Sequence, residues 1–183
     1  RDQVVRDLVP LTVKIKQRQA KRLGIPWEDF KFQDNALGFK DGSATPEGTP
    51  EEILAAGKQM YEELSGETKD FIHLMFENQL FDVLAKEGKA PGGYCTGLPD
   101  YGYPFIFSNF NGTSGDVDVL THEAGHAFAD FIANQTVEIH SLRCPTMEGA
   151  ETHSMSMEFL TAPWHHLFFG KQTGKYELSH AED

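Results

Sequence analysis

Two histidines and a glutamate within Thr121–His126 have the types and spacing that suit metal chemistry. His122 and His126 are four residues apart, which places both imidazoles on one face of a helix, where they can bind one ion. Glu123 lies about 100° further round the helix, so its carboxylate suits a water on the ion better than the ion itself. This HExxH pattern predicts a zinc site with Glu123 as the catalytic base.

A zinc hydrolase needs a third protein ligand from a separate element. Glu151, 25 residues after His126, lies early in a later predicted helix that can pack against the first. Glu158 follows two turns later on the same face and is predicted to orient a ligand histidine. Asp130, one turn after His126, can do the same for that histidine. The alternative for both residues is a solvated carboxylate on the protein surface. The histidines that compete with Glu151 for the third position are His140, His153, His165 and His166.

The predicted ligands imply a reaction. Zinc lowers the pKa of its water to near 7 and polarises a carbonyl, while Glu123 takes the water proton and delivers it to the leaving amine. We therefore expect one Zn²⁺ per chain and hydrolysis of a peptide bond by a zinc-bound water. No serine or cysteine arrangement suggests a covalent intermediate, and Cys95 has no histidine near it in sequence.

Helices are predicted to carry most of the chain. An amphipathic pattern predicts a helix over residues 1–23 that is kinked or restarted at Pro10. Thr49–Glu52 forms a capping box and starts another helix. Ser65-Gly66 separates that helix from the next one, whose apolar stripe continues to Leu84.

The metal-binding half is predicted to follow a loop and one strand. Residues 88–102 are rich in glycine and proline, and Tyr103–Phe110 has strand composition, with Pro104 favouring an edge position. We expect a mostly α fold with a short β edge strand above the HExxH helix. Within a single unit of residues 1–183, the predicted parts are helices at 1–87, the loop and edge strand at 88–112, and zinc-binding helices at 113–168.

Composition limits the partners. The formal charge is −12 and acidic residues are spread along the chain, which opposes binding to nucleic acid or anionic lipid. No apolar run is long enough to predict a membrane span. Cys95 and Cys144 do not make a disulfide framework, so free thiols in the cytoplasm are the simpler interpretation.

The segment Gly88–Trp164 resembles the oligoendopeptidase F and thimet oligopeptidase family of zinc peptidases, which are gluzincins. The residues that carry the resemblance are Gly92-Gly93-Tyr94-Cys95, Pro104–Phe110, His122–His126, Glu151 and Glu158. The resemblance implies a helical fold with a deep channel and cleavage of short, unstructured peptides. It also implies that the strand lies above the zinc and pairs with an extended substrate. The substrate-binding candidates are Phe107, Ser108, Asn109, Gly92 and Gly93.

Two departures from the family pattern bear on the mechanism. Ala129 stands where many members have a histidine. The family also places an oxyanion-stabilising tyrosine and histidine well downstream of the glutamate ligand, and Tyr176 and His180 do not match them. We therefore expect a central piece of a larger catalytic domain, which needs the remainder for activity. The alternatives are a non-catalytic, zinc-containing peptide-binding fragment and a gluzincin aminopeptidase.

Overall fold

The computed structural model describes residues 1–182, and their contacts divide the chain into two compact units. The first unit contains residues 1–44 and those from 174 onward, and the second contains residues 45–173. The sequence suggested one unit. All the residues assigned above to metal, base or substrate belong to the second unit.

The first unit is helical. Helices α1 (Asp2–Asp7) and α2 (Val9–Leu23) are separated by a break at Leu8. Pro10 therefore lies in the first turn of α2, where a backbone N–H has no partner within the helix and its absence costs nothing. Gly24, with φ of 73°, ends α2 in the left-handed conformation that glycine adopts most readily.

The second unit contains most of the remaining regular structure. Its helices and strands are α3 (Pro50–Leu64), α4 (Gly66–Glu77), β1 (Phe81–Leu84), β2 (Tyr94–Leu98), β3 (Tyr103–Phe110), α5 (Gly115–Thr136), α6 (Met147–Leu160) and α7 (His166–Phe169), and α8 (Thr173–Glu182) then leads into the first unit. Short 3₁₀ turns occupy Trp27–Asp29, Phe32–Ala36, His140–Leu142, Ala162–Trp164 and Gly170–Gln172. The mostly α fold class is confirmed, with a small sheet added.

The capping box at Thr49 begins α3 as predicted. The Thr49 N–H donates to Glu52 Oε2 at 2.7 Å, and the Glu52 N–H donates to Thr49 Oγ1 at 3.3 Å. The predicted end of the next helix was wrong, because α4 stops at Glu77 and the chain turns at Gln79, whose φ is 54°. Residues 81–84 then form β1, since the apolar run there can pair with a neighbouring strand.

The sheet has the strand order β1-β3-β2. Strand β3 pairs in parallel with β1 and antiparallel with β2, from Tyr94 opposite Phe107 to Leu98 opposite Tyr103. The predicted edge position of β3 was therefore wrong. Strand β2 lies in the segment predicted as a loop, and it covers the side of β3 that was expected to be free.

Helix α5 carries the HExxH motif across this sheet and against α3. The buried Asp116 carboxylate accepts the backbone N–H groups of Asn111 and Gly112, at 2.9 and 2.7 Å, and so fixes the start of the helix. The Tyr61 hydroxyl, on α3, donates to the Leu120 carbonyl at 2.8 Å. No helix in the described part of the chain is both long and apolar enough to cross a bilayer.

Candidate metal centre

A close helix crossing brings the predicted third ligand to the two histidines. Gly125 lies in α5 between the histidines, and a Cβ built there would lie 2.7 Å from Ser154 Cα and 3.0 Å from Met157 Cβ, both in α6. These distances are shorter than van der Waals contact, so only glycine allows α6 to lie where it does. The crossing places Glu151, one turn before Ser154, against the histidine face of α5.

The three predicted ligands form one cluster. His122 Nε2 lies 3.3 Å and His126 Nε2 lies 3.8 Å from Glu151 Oε2. One ligand atom from each residue lies within 4.8 Å of the others, and no second such group occurs among residues 1–182. Zinc–ligand bonds of about 2.0–2.2 Å in a tetrahedron require ligand atoms about 3.3–3.6 Å apart. The 3.3 Å separation falls in this range and the 3.8 Å separation exceeds it by only about 0.2 Å, so the donor types and their positions suit one zinc ion after small side-chain shifts.

Glu158 fixes the orientation of the first histidine. Its Oε1 lies 2.5 Å from His122 Nδ1, which is the ring nitrogen turned away from Glu151. A carboxylate at this distance accepts a hydrogen bond from Nδ1–H, and the tautomer with its proton on Nδ1 leaves the Nε2 lone pair for a metal. Glu151 is itself held by the Ser154 hydroxyl, which donates to Oε2 at 3.1 Å.

Among the described residues, Asp130 makes no hydrogen bond to His126, although the sequence suggested one. Its carboxylate instead accepts a hydrogen bond from Asn134 Nδ2 at 3.1 Å, because Asn134 lies one turn further along the same face of α5. The four competing histidines, His140, His153, His165 and His166, do not belong to the ligand cluster found in the described residues.

Glu123 and Asp130 both act electrostatically on Cys95, in β2. Burial, followed by the charges of Asp130 and Glu123, raises the pKa of the Cys95 thiol to about 12. The thiol therefore stays protonated at neutral pH and is a poor nucleophile. The half-buried Glu123 carboxylate therefore lies near enough to β2 to act electrostatically on Cys95.

The β3 residues predicted to bind substrate also contact the segment that leads into β2. Phe107 stacks on Tyr94 with ring centroids 5.0 Å apart, and Asn109 Nδ2 donates to the carbonyl of Gly92 at 3.0 Å. Ser108 is buried, and a Cβ on Gly93 would meet its hydroxyl at 3.4 Å. These contacts fix the loop that leads into β2.

A cavity of about 600 Å³ adjoins two of the predicted metal ligands, His126 and Glu151. Its walls include β2 residues Cys95–Leu98, the α5 face from His126 to Asn134, and Glu151 on α6. The sequence interpretation missed the contribution of β2. The aromatic and β-branched residues Tyr94 and Thr96 favour a strand, but the surrounding glycines and prolines outweighed that signal.

Residues 62–181 match the sequence profile of peptidase family M3. A protein assigned as oligoendopeptidase F from Bacillus anthracis is 49% identical, with a TM-score of 0.92 over 99% of this chain and 33% of its own. PZ peptidase A, solved with an inhibitor, is 50% identical, with a TM-score of 0.92 over 100% of this chain and 32% of its own. The chain thus spans about a third of these structures. No curated protein matches it.

Proposed function

The chain belongs to peptidase family M3, and on that premise we propose that it carries the zinc ligands and catalytic base of a metalloendopeptidase that hydrolyses short peptides. The observation that supports this most strongly is the His122, His126 and Glu151 cluster, with donor atoms within 4.8 Å of one another. The donor set suits zinc in a hydrolase, because three protein ligands leave a fourth position for water or substrate.

Each residue has a distinct role in this proposal. His122 and His126 through Nε2, and Glu151 through Oε2, would hold a single zinc ion. A bound zinc would polarise the scissile carbonyl and lower the pKa of a water to near 7. Glu123 accepts a proton from the attacking water and transfers it to the leaving amine. Glu158 holds the proton on His122 Nδ1 and thereby keeps the ring in its ligand orientation.

We propose that the substrate backbone pairs with β2 instead of β3. Strand β2 is at one edge of the described sheet, and Cys95–Leu98 line the cavity that contains His126 and Glu151. An edge strand offers main-chain donors and acceptors to an extended peptide. Phe107, Ser108 and Asn109 act from behind by supporting the Gly92-Gly93 loop and the start of β2.

The remainder of the catalytic domain is the partner that we expect to complete the site. The chain covers 32% of the length of PZ peptidase A. We therefore expect the groups that stabilise the oxyanion to come from parts of the catalytic domain outside this chain. We also propose a cytoplasmic location, which is supported by Cys95 and Cys144 both being free.

Replacement of the base in the full-length parent tests this function. Glu123→Gln should retain about one zinc per chain and lose about a hundredfold to ten-thousandfold of kcat, the usual contribution of a general base. The substrate should be a short peptide with acetylated and amidated ends, since an aminopeptidase would not cleave it. Glu138→Gln, at an exposed glutamate beyond α5, serves as the control. Unreduced turnover in Glu123→Gln would contradict the assignment.

A further inference from the structure

The cavity extends well beyond the metal ligands along α5. His126 and Asn134 both line it and are eight residues apart, which is roughly 12 Å along the helix axis. An extended peptide covers that distance with three or four residues. A substrate whose scissile bond lies at the metal therefore places neighbouring residues beside this wall.

Asp130 is the carboxylate in the middle of the wall. It accepts one hydrogen bond in the described part of the structure, from Asn134 Nδ2 at 3.1 Å, although a carboxylate has room for about four. Asn134 Oδ1 in turn accepts from Arg143 Nη1 at 2.9 Å, which fixes the amide with its nitrogen towards Asp130. The Asp130 carboxylate is thus held in place with most of its acceptor capacity unused.

The surroundings of Asp130 compensate its charge poorly. The neighbouring cavity wall is largely apolar and includes Leu98, Pro99, Ala129, Ala133 and Leu142. Burial raises the pKa of the Asp130 carboxyl; the Asn134 hydrogen bond opposes that rise first, and the charges of Arg143 and His140 oppose it without a hydrogen bond to the carboxylate. Ionised carboxylates in such surroundings gain most from a charged donor.

Gly97 of β2 leaves the space over this carboxylate open. A Cβ built on Gly97 would lie 3.4 Å from Asp130 Oδ2, so any larger residue would narrow the approach from the strand side. The open side faces the strand that we propose as the docking edge for the peptide backbone. A side chain or terminus of the bound peptide can therefore reach Asp130.

We propose that Asp130 determines specificity by binding a protonated amine of the peptide, within a few residues of the cleaved bond. The amine is either a lysine side chain or a free amino terminus, which share the same chemistry. The inference rests on the proposed function, since it supposes a peptide in the cavity. Asp130 is favoured over Arg143 as the recognition group because Asp130 lies one helical turn from His126. Arg143 is linked to Asp130 only through Asn134, to which it donates a hydrogen bond.

Matched peptides test the contact in the full-length parent. One series replaces lysine by norleucine at each position around the cleaved bond, and a second compares free with acetylated amino termini. Wild type should prefer one protonated peptide about ten- to a hundredfold in kcat/KM, mainly through KM, as expected for a charge-assisted hydrogen bond. The series that shows the preference identifies the source of the amine.

In Asp130→Asn the preference should fall to about one. Asp100→Asn, which removes an exposed carboxylate from the turn after β2, should keep it. Gly97→Ala tests the same contact without removing the carboxylate and should reduce the preference. The same lysine-to-norleucine and free-to-acetylated ratios in Asp130→Asn as in wild type would overturn the inference while peptide cleavage still stood. Failure of wild type to cleave any peptide would instead reject the proposed function and the inference with it.

Discussion

Gly125→Ala should damage the proposed metal centre although residue 125 is not one of its proposed ligands. The added methyl group would lie 2.7 Å from Ser154 Cα, and both atoms belong to helices that cannot rotate away as a flexible side chain does. Ordinary carbon–carbon contact is about 3.5–4.0 Å, so α6 must move by about 1 Å. Glu151 moves with α6, whereas metal sites tolerate ligand displacements of only about 0.2 Å.

We expect two measurable effects of Gly125→Ala. The free energy of unfolding of the metal-free protein should fall by about 1–3 kcal/mol, the usual cost of overpacking, measured by urea titration. Zinc affinity, measured by competition with a chelator, should fall at least about tenfold. Gly66→Ala is the matched control, because nothing lies within 4 Å of a Cβ at that helical position. Wild-type zinc affinity in folded Gly125→Ala would refute the idea that this crossing sets the ligand geometry.

Two further predictions concern the carboxylates around the site. Glu158→Gln should lower zinc affinity about 10- to 100-fold, because the amide accepts the His122 Nδ1 proton less strongly than the carboxylate; an equal loss in the exposed control Glu148→Gln would contradict that role. Burial raises the pKa of Asp130 above its ordinary 3.8, so the folded state binds this proton more tightly than the unfolded state does. The contribution of Asp130 to the free energy of unfolding therefore falls as pH rises from about 3.8 through the raised pKa. Relative to wild type, Asp130→Asn should therefore have a more favourable free energy of unfolding at pH 7 than at pH 3, measured by urea titration. An equal difference from wild type at both pH values would contradict burial of the charged carboxylate as the cause.

Local sequence signals predicted the helices that carry the proposed ligands. The spacing of His122 and His126 and the capping box at Thr49 act within one or two helical turns, so neighbouring residues are enough to specify them. The family resemblance and the place of Glu151 on a later helix indicate this residue as the third ligand. Its distance from the histidines depends on the close crossing at Gly125, which periodicity alone does not reveal.

The sheet was harder to predict because its pairing is not local. Residues 81–84 extend the apolar stripe of α4, and only the partner strand β3 makes them a strand. Strand β2 is short and surrounded by glycine and proline, so its propensity signal was weak. Pro104 favoured an edge position for β3, but it lies opposite Gly97, where β2 pairs with β3 nonetheless.

Zinc binding by variants of the third ligand tests the central claim most directly. Wild type, Glu151→Ala and His153→Ala should be reconstituted with zinc, and their stoichiometry and affinity measured by metal analysis and chelator competition. We predict about one zinc per chain in wild type and His153→Ala, with markedly weaker binding in Glu151→Ala. Unchanged affinity in Glu151→Ala, or absence of zinc from folded wild type, would contradict a centre formed by His122, His126 and Glu151.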